Sequence, residues 1–440
     1  MLKASLCIQQ YNVHKGRLLS MKPTFSFIHA ADLHLDAAFK GVAHVSPKVA
    51  EVLRSATFEA LERLTQLACS ERPAFVVLAG DIYNKEDQSL KARFALLDAC
   101  KRMGKAGVRV FIVHGNHDPL VETEKSFSFP DNVYVFGTAG VEQVRVETAE
   151  GDLLTVVHGI SHGKHNERRK LARQYKRTDD EVFQVAVLHC TVDSVAASEQ
   201  YAPASVADFT KSGIDYWALG HIHEQQIVSR EPLVAYSGNI QGLHINEQGE
   251  RGCLFVSVEN GQASTTHHTL GTVEWKIEPI DILTIEQFDV LEEVVEHRFE
   301  EIAQQVSEQC KGVIVRLVLE GRSVLDGELR KNGAVTELTE RIREGQMNNS
   351  PFVWLKDIEL ACKPDVDIDA MRSRPDLLGE ALTVADQLIT ADDTDELRES
   401  VSELFGSPVS KRNLTILSDA ELVQLAEEAQ YLCLDLLEAE

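Results

Sequence analysis

The sequence predicts an α/β protein in which two β-sheets pack face to face between outer helices. Residues 24–130 alternate short apolar runs, rich in Val, Ile and Phe, with segments of helical length. From residue 130 to about residue 280, further apolar runs follow one another with few helical segments between them. Apolar runs bounded by Gly or Pro indicate buried strands, and two such sets predict two sheets that share a core.

The first part of the chain has the pattern of β-α-β units. Phe25–Ala31 is a predicted strand, and Val49–Leu67 is a predicted amphipathic helix. The strand Ala74–Leu78, the helix Leu90–Met103 and the strand Val108–Val113 follow in that order. This alternation is typical of strands buried on both faces of a sheet. The later runs, from VYVFGT to VEWKIEPI, predict a second sheet that is more antiparallel than the first.

Four segments are predicted along the chain. Residues 1–21 are expected to be an extension outside the fold, with an ordered N-terminal arm as the alternative. Residues 22–280 form the main domain, and residues 281–362 have the helix and strand pattern of a small α+β domain. Residues 363–440 form an acidic, helical C-terminal region.

Composition limits the class of protein. The net charge is −25, but residues 281–440 hold 36 acidic and only 15 basic side chains, so the rest of the chain is almost balanced. Global charge therefore argues against a simple nucleic-acid binder and says little about the main domain alone. The eight cysteines are scattered without a C-x-x-C pair, which favours reduced thiols and a cytoplasmic location. No apolar run has the length of a membrane span, so no membrane contact is expected.

Side chains able to bind metal stand at the ends of five predicted strands. They are Asp32 and His34 after the first strand, Asp81 after the second, Asn116, His117 and Asp118 after the third, His189 at the end of QVAVLHC, and His221 and His223 after YWALG. Ligands collect at the carboxyl ends of strands in α/β proteins, so these points are expected to meet in one crevice.

Each motif alone has an ordinary explanation, because a G-D is usually a turn and a lone histidine is usually a packed residue. Together they give nitrogen and oxygen donors without cysteine, which suits Mn²⁺, Fe²⁺ or Zn²⁺ better than a structural zinc site. The set exceeds the needs of one ion. We therefore predict two divalent ions that share a carboxylate.

The ordered motifs D-x-H, G-D, G-N-H-D, H and G-H-x-H resemble the signature of the calcineurin-like metallophosphoesterases over about residues 24–260. The resemblance implies a four-layer α/β/β/α sandwich that hydrolyses phosphate esters. It implies one metal site made by Asp32, His34, Asp81 and His223, and another made by Asp81, Asn116, His189 and His221, with Asp81 as the bridge. His117 is then the expected general acid, and Asp118 is expected to orient it through a ring N–H.

The stretch FIHAADLHLDAAFKG resembles more narrowly the nuclease subunit of SbcCD-type DNA-repair complexes, in its YhaO-type branch. This resemblance extends over most of residues 22–362 and implies a metal-dependent DNA exonuclease or endonuclease. In that family the small α+β domain caps the active site. The family also implies an SMC-like coiled-coil ATPase as partner and suggests a homodimer.

Two features could contact DNA. The segment KHNERRKLARQYKR holds seven basic residues and one acidic residue; if it is helical, it presents a basic face, and the alternative is an ordinary solvated face. The loop YSGNIQG corresponds to a loop that often reads Tyr-Pro-Gly-Ser in the family and approaches the phosphates there. Ser237 and Asn239 stand here in place of Pro and Ser, so the loop's stiffness and its contact with phosphate are in doubt. The candidate DNA-binding residues are Lys164, Arg168, Arg169, Arg173, Lys176 and Asn239.

The acidic tail is expected to avoid DNA. Its segment Leu422–Leu437 carries an apolar stripe that could lie on a partner helix, or pack back on its own domain. Two alternatives to a nuclease remain at this stage. One is a phosphatase or nucleotide phosphodiesterase of the same superfamily, and the other is a non-catalytic scaffold, which would be expected to have lost ligands.

Overall fold

The computed structural model describes residues 23–40, 46–84, 89–120, 128–193, 200–345, 351–390, 394–402 and 417–437. The predicted extension, residues 1–21, lies outside these ranges. The strands are β1 (Phe25–Ala30), β2 (Phe75–Ala79), β3 (Arg109–Val113), β4 (Val133–Val135), β5 (Glu142–Glu147), β6 (Leu153–Gly159), β7 (Gln184–His189), β8 (Tyr216–Gly220), β9 (Gln226–Arg230), β10 (Leu233–Tyr236), β11 (Gly252–Glu259), β12 (Gln262–Thr269), β13 (Val273–Asp281), β14 (Gly312–Glu320), β15 (Arg322–Ser323), β16 (Phe352–Leu360) and β17 (Lys363–Pro364). The helices are α1 (Pro47–Glu71), α2 (Leu90–Lys105), α3 (Val206–Ser212), α4 (Phe288–Gln305), α5 (Asp326–Leu329), α6 (Ala334–Gly345), α7 (Ile368–Arg372), α8 (Leu377–Ile389), α9 (Asp395–Ser400) and α10 (Asp419–Leu437).

Two six-stranded sheets form the main fold. The first has the order β12-β11-β1-β2-β3-β4, and its strands β1 to β4 are parallel. The second has the order β5-β6-β7-β8-β10-β9. Its four central strands, β6, β7, β8 and β10, are also parallel, and only the edge strands β5 and β9 pair antiparallel.

The expectation of a more antiparallel second sheet is therefore wrong for its centre. The sequence pattern misled because parallel strands are usually joined by long helices. Here β6 and β7 are joined by an extended segment with one 3₁₀ turn (Leu171–Gln174), and β7 and β8 are joined through the seven-residue helix α3. Both connections are long enough to cross over a sheet without a long helix.

The inner faces of the two sheets share one core. Phe27 and Phe75 of the first sheet stack at 4.9 Å, and Tyr216 of the second sheet meets Phe27 edge-on at 5.1 Å. Alternate residues point the other way, because side chains of a strand alternate between the two faces of a sheet. Thus Ile28 packs under α1 and α2, while Trp217 packs under α3 and the 3₁₀ turn. The predicted α/β/β/α layering is confirmed.

Helix α1 illustrates why these outer layers form. Ser46 caps its N-terminus by accepting a hydrogen bond from Val49 N (3.3 Å), and Pro47 occupies the first turn. Apolar residues recur every three or four positions and are buried against the first sheet. The helix ends at Arg72, whose left-handed backbone (φ 48°) closes the last turn on Ala68 O.

A three-stranded sheet, β13-β14-β16, follows the main fold. Trp275, Ile314 and Trp354 from its strands form a cluster with Val49 and Leu53 of α1. Contacts divide the chain into two compact units. The first unit holds residues 1–280, 292–318 and 336–359, and the second holds residues 281–291, 319–335 and 360–440. The domain boundaries drawn from the sequence remain predictions.

The second unit is built around its helices. Leu378 and Leu382 of α8 and Leu434 of α10 are buried together. Arg322 of β15 lies over the ring of Tyr431 in α10 at 4.8 Å. Across the described parts of both units, no helix combines the length and apolar character needed to cross a membrane.

Candidate metal centre

The carboxyl ends of strands from both sheets meet at one point. Asp32 and Asp81 follow strands of the first sheet, while His189 ends β7 and His223 follows β8 in the second sheet. The backbone of the loop after β8 binds the loop after β1, because the Asp32 carboxylate accepts from His221 N at 3.0–3.1 Å. The structure thus brings residues that are up to 191 positions apart into one buried cluster.

Close approach of the strand ends depends on glycine. A Cβ added to Gly220 would lie 1.8 Å from Ala79 O, and one added to Gly115 would lie 2.2 Å from Asp81 Oδ1. A side chain at either position would push a ligand loop away from its neighbour. The glycines of the G-N-H-D and G-H-x-H motifs are therefore required by packing.

Several ligand residues have a strained backbone. Asp32, His34, Asp81 and His221 all have positive φ, at 50°, 40°, 48° and 105°. Non-glycine residues rarely adopt this conformation, and it persists where surrounding contacts hold it. Here it occurs at four of the predicted metal ligands, all in loops that directly follow strand ends.

Two groups of residues could each hold a metal ion, because the ligand atoms within each group lie within 4.8 Å of one another. The first is Asp32, His34 and His223, in which His34 Nε2 lies 3.1 Å from His223 Nε2. The second is Asp32, Asp81 and His189. Asp32 thus belongs to both groups. Asp81 Oδ2 also lies between them, at 4.0 Å from His34 Nε2 and 3.3 Å from His189 Nε2.

The donor atoms fit divalent cations. His189 Nδ1 donates to Ala79 O at 2.9 Å, so Nε2 is the ring nitrogen available to a cation. Nε2 lies 2.9 Å from Asn116 Oδ1 and 3.3 Å from Asp81 Oδ2. A cation that displaced the proton from Nε2 would therefore face three acceptor atoms. Nitrogen and oxygen donors without sulfur are the set expected for Mn²⁺, Fe²⁺ or Zn²⁺.

Burial and mutual charge perturb the pKa values of these groups. Burial raises the pKa of Asp32 to about 6, although His189 and His223 oppose the rise. Burial lowers the pKa of His34 to about 3, and His223 lowers it further. Burial also acts to lower the pKa of His189, but Asp81 and Asp32 outweigh it and raise that pKa to about 9. Such buried, mutually compensating charges are typical of a functional site.

His221 is the predicted ligand that stands outside both groups. Its ring meets the ring of His189 edge-on at 5.3 Å, and its backbone N–H binds Asp32. Asn116 enters the centre through its side-chain oxygen beside His189.

The general-acid candidate His117 lies at the rim of the cluster. Its backbone N donates to Asp81 Oδ1 at 2.9 Å, and its half-buried ring lies 5.0 Å from the ring of His34. The structure corrects the role predicted for Asp118. The Asp118 carboxylate accepts from the backbone N of Gly115 and Ile82 (each 2.9 Å) and lies 3.1 Å from His114 Nδ1, while the partner of His117 Nδ1 is Asn84 Oδ1 at 3.0 Å. These bonds make Asp118 a brace for the loop.

Sequence reasoning missed several residues of the site. Glu247 accepts a 2.5 Å hydrogen bond from His223 Nδ1, and His162 Nε2 donates to His189 O at 2.7 Å. His165 Nδ1 donates to Asn116 O at 2.7 Å. A histidine near a ligand strand was a weak signal for His162 and His165. Glu247 lies in a polar turn with no local pattern that distinguishes it.

The basic segment is not an α-helix. Apart from the 3₁₀ turn, residues 164–177 form bends and irregular backbone, and Leu171, Ala172 and Tyr175 are buried under the second sheet. Its charges are partly paired. Arg169 binds the buried Glu167, Arg173 binds Asp208 at 2.9 Å, and Arg168 donates to Gln200 O, while Lys164 and Lys176 are exposed.

Asn239, expected to approach a phosphate, is fully buried. Its side-chain amide donates to Glu247 Oε2 at 3.0 Å, and its backbone N donates to His223 O. It therefore supports the loop that carries His223.

Known proteins agree with this architecture. Residues 25–225 match the calcineurin-like phosphoesterase family, and residues 275–363 match the middle domain of the YhaO metallophosphoesterases. The chain is 30% identical over 411 residues to the metallophosphoesterase YhaO of Bacillus subtilis strain 168, which covers 93% of this chain and 97% of that protein.

More distant relatives carry the name DNA double-strand break repair protein Mre11. The Aeropyrum pernix protein is 28% identical over 233 residues, covering 50% of this chain and 54% of that protein. The Methanopyrus kandleri protein is 25% identical over 348 residues, covering 72% of this chain and 71% of that protein. The resemblance predicted from the motifs is confirmed: the chain belongs to the calcineurin-like metallophosphoesterases of the YhaO family, a fold that implies a dinuclear divalent metal site.

Proposed function

We propose that this protein is a divalent-metal-dependent nuclease that hydrolyses DNA phosphodiester bonds in DNA repair. The position of His117 carries the proposal. It is bound through its backbone to the ligand Asp81, and its half-buried ring lies beside His34. A side chain so placed can give a proton to the oxygen that leaves phosphorus.

The chain's own groups divide the work. Divalent cations, when bound, polarise the phosphoryl oxygens and lower the pKa of the attacking water. Because His117 Nδ1 donates to Asn84 Oδ1, Nε2 is the ring nitrogen that would carry and release the transferable proton when the ring is doubly protonated. Asn84 is neutral, so it orients the ring without adding negative charge near a phosphate. Asn116 likewise brings an oxygen to the centre without a charge.

DNA as the substrate is supported by relatives named for double-strand break repair and by the basic residues. Lys164 is exposed one position before His165, which binds the backbone of Asn116. Lys164 and Arg168 thus lie close in sequence to a point of contact with the metal centre, where a DNA backbone would pass. Arg169 and Arg173 are already paired with carboxylates, so we assign them a smaller role.

We propose Mn²⁺ as the ion, with Fe²⁺ or Zn²⁺ as alternatives, because the donors are imidazoles, carboxylates and an amide. The seven cysteines among the described residues are free, which supports a reducing compartment such as the cytoplasm.

Two partners are proposed. The exposed Leu425, Leu432 and Leu436 recur on one face of α10 and suit an SMC-like coiled-coil ATPase. A homodimer is proposed because the family resemblance suggests one.

The proposal is tested by incubating the full-length protein and Mn²⁺ with linear duplex and single-stranded DNA and measuring the rate of hydrolysis. We expect His117→Ala to lower the rate by about 10²–10⁴-fold while the bound metal stays unchanged. The control is His297→Ala, because His297 is exposed on α4. Wild-type protein that hydrolyses mononucleotides or aryl phosphates, but no DNA even with its ATPase, would identify a phosphatase or nucleotide phosphodiesterase instead.

A further inference from the structure

The two ring nitrogens of His223 have different surroundings. Nε2 faces the first ligand group, at 3.1 Å from His34 Nε2. Nδ1 lies 2.5 Å from Glu247 Oε1. An ionised carboxylate only accepts hydrogen bonds, so the proton of a neutral His223 ring stays on Nδ1. Glu247 therefore keeps the Nε2 lone pair directed into the centre.

Glu247 is itself held rigidly. Its Oε2 accepts from Leu243 N at 2.6 Å and from Asn239 Nδ2 at 3.0 Å, and its Oε1 also lies 3.0 Å from His244 Nε2. The side chain is 5% exposed. Donors surround both oxygens, and these contacts hold the carboxylate in one position.

The second ligand group has no such support. The equivalent ring nitrogen of His189, Nδ1, donates to the carbonyl oxygen of Ala79, which is neutral. Asp32 Oδ1 lies 3.9 Å from the same Nδ1, beyond hydrogen-bond distance, and is itself a candidate ligand of both groups. A separate carboxylate hydrogen-bonded behind the imidazole is therefore found for His223 and not for His189. A carboxylate behind a ligand histidine makes that histidine a stronger ligand and fixes its orientation.

We propose that Glu247 is a positioning residue that fixes the tautomer of His223 and sets the affinity of the ion bound by Asp32, His34 and His223. The two ions are consequently held unequally, and Glu247 acts on one of them. The proposal rests on the metal-dependent part of the proposed function and not on DNA as the substrate. Metal binding therefore decides it even for a protein that cleaves no DNA.

Glu247→Gln is the informative variant. Two donors, Leu243 N and Asn239 Nδ2, face the Oε2 position, so the amide oxygen of glutamine is expected to turn toward them. Its NH₂ group then faces His223 Nδ1 and makes that nitrogen an acceptor. The ring proton moves to Nε2, which can no longer bind a cation. Glu247→Asp keeps the charge but shortens the reach.

The experiment is a Mn²⁺ titration of the full-length, metal-free protein, with free Mn²⁺ measured by electron paramagnetic resonance. We expect two equivalents for the wild type, and for Glu247→Gln one unchanged equivalent and one weakened about 10–100-fold. Glu247→Asp should weaken the same equivalent less. Glu278→Gln is the control, because Glu278 is equally buried and paired with Arg298, and it should bind as the wild type.

A double-mutant cycle separates positioning from general damage. If Glu247 acts through His223, Glu247→Gln should cost no further affinity in a His223→Asn background. Wild-type affinity of Glu247→Gln for both equivalents would overturn the proposal. Equal weakening of both equivalents would also overturn it, because it would show a structural role only. Should Glu247→Gln not fold, unchanged binding by Glu247→Asp would overturn it.

Discussion

The two compact units of the chain differ in their extremes: the metal-binding cluster of buried polar side chains lies in the first unit, and the two most exposed leucines of the described residues lie in the second. In the first unit, Asp32, Asp81 and His189 are at most 1% exposed. In the second unit, Leu377 and Leu436 are 68% and 66% exposed. Buried polar groups gain strength and shifted pKa values from the loss of water, which chemistry requires. Exposed apolar groups can gain burial only from a partner. Under the proposed function, the contrast would place catalysis in the first unit and partner contact in the second.

The largest expected effect comes from removing the carboxylate common to both ligand groups. We expect Asp32→Ala to lower DNA hydrolysis by at least about 10³-fold, equivalent to about 4 kcal/mol of activation free energy. Bound metal, measured by mass spectrometry, should fall below one equivalent. Asp208→Ala is the matched control, since Asp208 is also buried in the first unit but pairs with Arg173. Full activity of Asp32→Ala would break the link between burial and chemistry.

As the pH falls, the first unit should lose stability before the second unit does. Burial lowers the pKa of His29 to about 3, whereas an unfolded histidine titrates near 6.5. The folded state therefore binds fewer protons, so stability is lost as the pH falls below about 6.5 and the loss continues to about 3. At about pH 4.5 His29 alone should lower the free energy of unfolding by about 3 kcal/mol. The second unit contains no histidine.

Denaturant titrations followed by tryptophan fluorescence, from about pH 7.5 to about pH 4.5, measure the stability of the first unit. All three tryptophans (Trp217, Trp275 and Trp354) lie in that unit. In His29→Gln, the number of protons taken up on unfolding, given by the slope of the free energy of unfolding against pH, should fall by nearly one. Hydrogen exchange in α8 and α10 should change little over the same range. Earlier acid unfolding of those helices would contradict the comparison.

A smaller effect is expected from the partner of the general acid. Asn84→Ala removes the acceptor of His117 Nδ1, so the ring loses its orientation but keeps its position. We expect kcat to fall about 10-fold with no change in bound metal. Asp118→Asn should instead lower thermal stability, because Asp118 braces the loop backbone. If Asp118→Asn lowered kcat at unchanged stability and Asn84→Ala did not, the predicted role of Asp118 would be restored.

Removing the proposed phosphate contacts should have a still smaller effect on the protein's function. We expect Lys164→Ala with Arg168→Ala to weaken DNA binding several-fold at about 0.1 M salt, and to reduce the salt dependence by about two counterions. Hydrolysis of a small aryl phosphodiester should stay as in the wild type. Lys331→Ala is the control, because Lys331 lies in the second unit and is paired with Glu328. A loss that does not depend on salt would argue against phosphate contact.

The smallest effect on catalysis is expected in the second unit. Leu432→Glu with Leu436→Glu should leave metal content and DNA hydrolysis of the isolated protein unchanged. Co-purification with an SMC-like ATPase of the same genome should be lost. Because Leu434 is buried in the unit's own core, Leu434→Glu should unfold α10 and serves as a comparison. Loss of hydrolysis in the surface variant would show that the two units are not separate in function.

Much of the fold and the centre could be predicted because the signals were local. Apolar runs gave the strands, and polar residues directly after them gave the ligand candidates, since strand ends converge in this class of fold. Parallel pairing in the second sheet was missed because it depends on contacts distant in sequence. Glu247 was missed for the same reason: it is distinguished by His223, Leu243 and Asn239, which surround it only in the folded chain.

The basic segment shows a different limit of the sequence. The sequence left open whether the segment is helical, and the burial of Leu171 and Tyr175 under the second sheet sets its backbone path. Tertiary packing commonly overrides helix propensity in so short a stretch.

The placement of the ligands has a consequence for folding. Asp32 and Asp81 belong to the first sheet, and His189 and His223 to the second, so a cation held between them ties the two halves of the sandwich together. Any ion that binds the folded chain and not the unfolded one adds to stability by mass action. The free energy of unfolding would then rise with the concentration of free metal, because the ion binds both halves at once.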